Sequence, residues 1–201
     1  MAEQETTAQG RRRSSQSHQA ILQATREELA EVGYRDMTIE GIAARAGVGK
    51  KTIYRWWPSK AAVALEALIT ADELRAPFPD TGSLERDLLT YFEQAFAGLR
   101  GKTGTVLSGL AAEAQLDPAF AHEFQQTFIV PMKAGLVALL QRGLERGELA
   151  ADTNLNVLAD FIYGAKWYRF LLYPAPLDTA FARDIVGLIT RLRGTSAVTE
   201  A

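Results

Sequence analysis

The sequence predicts an all-α protein of about nine helices: an N-terminal three-helix helix-turn-helix unit followed by a larger helical domain. Three observations predict it. Apolar residues recur at i, i+3 and i+4 through almost every segment. Capping residues, Gly and Pro fall between those segments. No stretch alternates apolar and polar residues as a half-buried strand would, and no repeat or low-complexity block interrupts the pattern.

Taken in order, residues 1–16 read as a flexible, basic-ended arm carrying Arg11, Arg12 and Arg13. Ser17 can cap a first helix with Ile21, Leu22, Thr25, Leu29 and Val32 on one face, and Gly33 ends it. Thr38 opens a second helix, with Ile39, Ile42, Ala43 and Ala46 inward, which stops at Gly47 after about two turns. A third short helix runs from about Gly49 to Trp57 and is halted by Pro58. Ser59 then caps a fourth, containing Val63, Leu65, Leu68 and Ile69. Two short helices joined across a Gly-containing turn, after a longer supporting helix, make a helix-turn-helix unit. The domain is placed at 17–62, with a second domain over 63–201. Pro77, Pro79 and Gly82 break the chain near residue 80. Helices follow at about 83–100, 104–115, 118–147, 153–173 and 178–193, with a kink at Pro131.

Composition narrows the chemistry. The chain of 201 residues has no cysteine, which excludes disulfides, thiolate metal sites and cysteine nucleophiles. Its two histidines, His18 and His122, lie far apart, which argues against a histidine-rich metal site. No Ser-His-Asp arrangement, Glu-x-x-His or phosphate-cradling loop is present, so the expectation is no enzyme and no cofactor. The polar N-terminus has no secretory h-region, and no run reaches the 18 to 20 apolar residues of a membrane span; a cytoplasmic protein without membrane association is expected.

Charge is uneven. The net charge is −2, yet residues 41–60, GIAARAGVGKKTIYRWWPSK, hold Arg45, Lys50, Lys51, Arg55 and Lys60 and no acid. On the third helix Val48, Ile53 and Trp57 are spaced to pack inward, leaving Lys50, Lys51, Thr52, Tyr54 and Arg55 outward. Such a helix suits the DNA major groove, where cations reach guanine edges or phosphates and hydroxyls reach phosphate oxygens. Lys60, at a helix start, would add a phosphate contact.

The segment MTIEGIAARAGVGKKTIYRWWPSKAAV resembles the helix-turn-helix of the tetracycline-repressor (TetR) family of bacterial regulators. The matching pieces are Gly33-Tyr34, Thr38, Ala46-Gly47-Val48, Thr52-Ile53-Tyr54 and Ser59-Lys60, within about residues 17–70. The resemblance implies phosphate contacts from Thr38, Tyr54, Trp56 and Lys60, and base-edge contacts from Lys50, Lys51, Thr52 and Arg55. Trp57 takes the family's buried aromatic position. Arg12 and Arg13 would extend the interface as a basic arm. Two departures stand out: Gly49 replaces the usual serine cap, and Ala62 replaces the usual glutamate, so the capping box at Ser59 is incomplete.

The resemblance further implies a homodimeric regulator, foremost a repressor released from a palindromic double-stranded operator by a small apolar effector; the alternatives are a DNA-binding activator or architectural protein without a ligand and, remotely, an all-helical enzyme. Phe92, Phe96, Phe124, Phe128, Met132 and Trp167 are the candidates for the effector cavity. Gly164, Ile185, Leu188, Ile189 and Leu192, on the last two helices, are the candidates for the dimer surface. Lys166 stands in IYGAKWYRFLL, where charge is costly to bury unpaired; it either snorkels outward or meets an acid, an acidic ligand included.

Overall fold

Eleven α-helical segments and two π-helical turns make up the described residues, and no strand occurs among them. The computed structural model describes residues 2–71, 78–173 and 175–191, with side chains from residue 14 onward. The chain folds into two compact units: Met1–Arg75 with Gly101–Phe124, and Ala76–Arg100 with Gln125–Ala201.

In the first unit α1 spans Ala2–Glu31. The backbone expected as a flexible arm is therefore continuous with the first helix, and Ser17 does not begin it. No proline lies between Gln4 and Gln16, and the helix runs through Gly10 among the helix-favouring Gln, Glu, Ala and Arg residues on either side. The chain leaves α1 through Gly33 at φ +78°, where a side chain would be strained, into the short α2, Gly33–Asp36. Thr38 caps α3 (Ile39–Ala46) by accepting from the Gly41 N–H at 3.0 Å. Gly47, left-handed at φ +64°, closes it.

Helix α4 is Lys50–Tyr54, shorter than the expected 49–57, and its Gly49 cap offers no side-chain bond. Pro58 and Ser59 then start α5, Lys60–Ile69, with the Ser59 hydroxyl accepting from the Ala62 N–H at 3.1 Å. Because Ala62 cannot bond back, that single contact is the whole cap. Ser59→Ala is expected to lower stability by about 1 kcal/mol, readable in urea denaturation.

The structure divides the chain differently from the expected boundary at 62/63. Helices α7 (Lys102–Leu116) and α8 (Pro118–Phe124) belong with the first unit. Tyr34 is the reason. Its ring lies so close to Gly109 that a Cβ there would sit 2.5 Å from it, and its hydroxyl donates to Glu113 at 3.4 Å. Burial, then the Glu113 carboxylate, pushes the phenol well above its usual pKa. The Lys102 ammonium adds a bond to the Ala30 carbonyl. These partners are 70 to 80 residues apart, too distant for local patterning to reveal.

The second unit packs α6 (Leu84–Gly98), α9 (Val130–Glu145), α10 (Leu155–Trp167) and α11 (Thr179–Arg191) around one apolar core. Leu84, Leu88, Phe92, Leu136, Leu139, Leu140 and Ala159 are completely buried in it. A π-helical turn, Gln125–Ile129, precedes α9, and a second, Tyr168–Leu172, follows α10. Where a kink at Pro131 is expected, a π turn ends just before it and Pro131 falls in the first turn of α9, where its missing N–H is tolerated. These turns, with the short α2, raise the number of segments above nine.

Candidate nucleic-acid interface and effector region

Helix α4 is anchored by Ile53, fully buried, and just beyond its end by Trp57, 2% exposed. The Trp57 indole N–H donates to Glu66 Oε2 at 2.7 Å, and His18 Nε2 lies 3.0 Å from Glu66 Oε1. His18 stacks on Trp57 at 4.8 Å and against Trp56 at 4.3 Å. One carboxylate and three rings therefore fix the end of the reader against α1 and α5. Trp57 is core, as expected. Trp56, half-buried, lies between His18 and the Arg55 guanidinium, 5.6 Å from its ring centre.

The five cations of residues 41–60 do not share one role. Arg45 turns back to α1, within 2.5 Å of Glu31, 3.7 Å of Glu27 and 3.9 Å of Glu28. Lys50 pairs with Glu40 at 2.6 Å, both exposed, and the pairing holds the Glu40 carboxyl below its usual range. Lys60 reaches over the end of α2: its ammonium donates to the carbonyls of Tyr34, Arg35 and Met37 at 3.1, 3.1 and 3.2 Å. It also sits 4.9 Å from the Tyr34 ring centre. Those carbonyls are the unpaired end of a helix, where a cation is favoured. The phosphate expected at Lys60 would thus compete with three carbonyls.

Lys51 and Arg55 remain exposed, with no acidic partner among the described residues. Thr52 is half-buried and Tyr54 is 53% exposed beside them. Thr38 is exposed, and its cap bond uses only an oxygen lone pair, so its hydroxyl can still donate. Arg12 and Arg13 lie outside the residues whose side chains are described.

The six expected effector residues separate. Phe92 and Phe96 are core, 0% and 2% exposed, with Phe92 packed on Tyr91 and Phe96, and Phe96 on Phe181. Placing them in a cavity is corrected by that packing, since helix periodicity cannot distinguish a filled interior from an open one. Phe124 belongs to the first unit, 6.0 Å from Phe120, and Phe128 to the second. Met132 and Trp167 border a buried polar relay that the periodicity did not reveal. Tyr91 Oη donates to Tyr163 Oη at 3.2 Å, and Tyr163 Oη donates to the Met132 carbonyl at 2.8 Å.

At the head of the relay Lys166, 6% exposed, donates to Tyr91 Oη at 3.5 Å. It neither snorkels outward nor meets an acid among the described residues. Burial alone lowers its pKa to about 7, and burial pushes Tyr163 up to about 12. An unfolded lysine titrates near about 10.4, so between about pH 7 and 10 the unfolded chain binds the extra proton. Stability from this site is expected to rise with pH across that window. Thermal melts of Lys166→Met should lack that rise.

The expected dimer residues also separate. Ile185 and Ile189 face the unit's own core, 7% and 3% exposed, so their assignment to the dimer surface is corrected. Leu188, on the flank of that buried face of α11, is 64% exposed, and Leu192 lies outside the described residues. Gly164 is exposed, with nothing within 4 Å of where its Cβ would be. It interrupts an apolar stripe on α10 and the following turn: Val157, Phe161, Tyr168 and Leu172, of which Phe161 is 74% and Leu172 77% exposed.

Comparison with known proteins places this arrangement. Residues 21–67 match the pattern for bacterial regulatory proteins of the tetR family, and residues 78–189 match the tetracyclin repressor-like C-terminal domain. The chain is 37% identical over 177 residues to the uncharacterised HTH-type transcriptional regulator YdeS of Bacillus subtilis, covering 88% of this chain and 89% of that one. It is 27% identical over 180 residues to the DNA-binding transcriptional repressor TetR of Mycobacteroides abscessus, covering 89% and 92%. The crystal structure of the TetR family transcription regulator SCO0332 superposes with a TM-score of 0.77 at 32% identity, over 88% of this chain and 97% of that one. With both halves matched in order and Lys51, Thr52, Tyr54 and Arg55 presented from the reader helix, the chain belongs to the TetR family of helix-turn-helix transcriptional regulators.

Proposed function

We propose that this regulator is a homodimeric repressor, released from a palindromic operator by a small, largely apolar effector. The observation that carries the reading is the division of labour on the reader. Arg45 and Lys60 are held by internal partners, whereas Lys51, Thr52, Tyr54 and Arg55 face outward. Base-edge contacts are assigned to Lys51, Thr52 and Arg55, with Lys50 joining when it releases Glu40, because an exposed ion pair is weakly held. Phosphate contacts are assigned to Thr38, Tyr54 and Trp56.

One reader covers half an operator, so a palindromic site calls for a two-fold dimer. The apolar stripe of Val157, Phe161, Gly164, Tyr168 and Leu172 with Leu188 of α11 supports a second copy as its occupant, since Gly164 permits close helix approach. An effector acts by binding more tightly to the dimer conformation that DNA does not fit, and its differential affinity sets how far release proceeds.

The test is selection of bound sequences from random DNA, followed by titration of the selected site at graded salt. The logarithm of affinity should fall steeply with the logarithm of salt, by about 0.9 per phosphate engaged. A flat dependence would sink the interface. Lys51→Ala and Arg55→Ala should each shift base preference, by about 1 to 3 kcal/mol per lost bidentate contact. Uniform weakening on all sequences would move either residue to the phosphate class.

A further inference from the structure

We propose that Lys166 is the anchor for a carboxylate on the effector, so that the ligand is an apolar acid and not a neutral apolar molecule. This rests on the effector reading above and specifies its chemistry. The argument begins with donors and acceptors. In the relay Lys166–Tyr91–Tyr163–Met132, each phenol spends its proton on the next member, and the last acceptor is a backbone carbonyl. The ammonium at the head has three N–H donors, and its hydrogen-bond acceptor among the described residues is one phenol oxygen at a long 3.5 Å. The relay therefore ends in surplus donors within an apolar surrounding.

The neighbouring charges do not answer that surplus. On α6, one turn before Tyr91, the buried Asp87 accepts from the Thr81 N–H at 2.6 Å and Thr81 Oγ1 at 2.7 Å, and lies 3.5 Å from Arg146. On the α9 side, Lys133 pairs with Asp160 of α10 at 2.6 Å. What faces the ammonium instead is aromatic: the rings of Tyr163, Tyr91 and Trp167, with centres at 4.5, 5.8 and 5.9 Å. Aromatic faces attract a cation but accept its hydrogen bonds poorly. A carboxylate supplies both missing quantities, charge and acceptor lone pairs, while the rings and Met132 contact an apolar body.

The backbone at the same place is irregular. Lys166 and Trp167 end α10 immediately before the π turn Tyr168–Leu172, and Met132 lies three residues after the π turn Gln125–Ile129. Such turns widen a helix and occur preferentially at functional sites. An ordinary core lysine would instead extend toward water along its methylenes.

The test titrates the full chain by calorimetry with matched pairs: octanoate against 1-octanol, decanoate against 1-decanol, and phenylbutyrate against phenylbutanol. At pH 6.5 at least one acid should bind about tenfold or more tighter than its alcohol, the range for a hydrogen bond between charged partners. The preference should shrink at pH 8.5, where the free amine has lost its proton, and disappear in Lys166→Met. Lys133→Met, which removes a surface cation on α9, should leave it intact. Lys166→Met should melt no lower than the parent, so its loss of preference is not unfolding. A preference that survives in Lys166→Met, or acids that never outbind their alcohols, would overturn the anchor. Alcohols that bind and release the operator while acids do not would overturn the anchor and leave the effector reading standing. If neither class binds, the anchor is overturned; the effector reading falls only if a broad panel of small molecules also leaves operator binding unchanged.

Discussion

Phe161→Asp combined with Leu188→Asp is expected to give monomers that remain folded and bind the operator at least about a hundredfold more weakly. Both side chains are largely exposed within the subunit, so neither carboxylate disturbs its core. In a dimer each would be desolvated against an apolar partner with no compensating charge. Losing the link between two readers removes the effective concentration that couples the half-sites, a factor of about 10² to 10⁴. Sedimentation velocity and circular dichroism on the same samples separate the outcomes. Full-strength dimers would move the interface elsewhere on the surface. Ile185→Asp, one turn away, should behave differently: it buries a carboxylate in the subunit core and should unfold the second unit.

Phe92→Ala is expected to cost about 3 to 5 kcal/mol, the range for emptying a large buried aromatic site. Phe92 is completely buried, with Tyr91 and Phe96 rings at 5.4 Å on either side. The cost follows from packing. The neighbouring rings lose dispersion contacts, and Leu88 and Leu139 cannot close the gap without leaving their own contacts. Urea denaturation reads the loss directly. A change under about 1 kcal/mol would mean that Phe92 borders open space, restoring it to the cavity.

The sequence alone determined the all-α class, the order of the helices and the reader. These are carried by local patterning: Thr38 and Ser59 as caps, Gly33 and Gly47 as left-handed stops, and Ile53 on α4 with Trp57 just beyond it as the buried side of the reader. The caps and stops act within a turn or two, so their partners are nearby in the chain, and helical spacing alone marks Ile53 and Trp57 as inward. Only the tertiary structure decided how the cations divide. Lys60 finds carbonyls 23 to 26 residues earlier and Arg45 finds α1, and no local pattern distinguishes such a lysine from a DNA-facing one. The same holds for the second unit. Periodicity gives the apolar side of a helix but not whether that side meets its own subunit or a second copy. Ile185 and Leu188 therefore looked alike until the packing of α6 against α11 separated them. Lys166 is the clearest case. Its apolar neighbours in sequence announced the cost of burying it, but the Tyr91–Tyr163 relay that receives it joins residues more than 70 positions apart. Hydrogen bonds across such separations exist only once the core has closed around them.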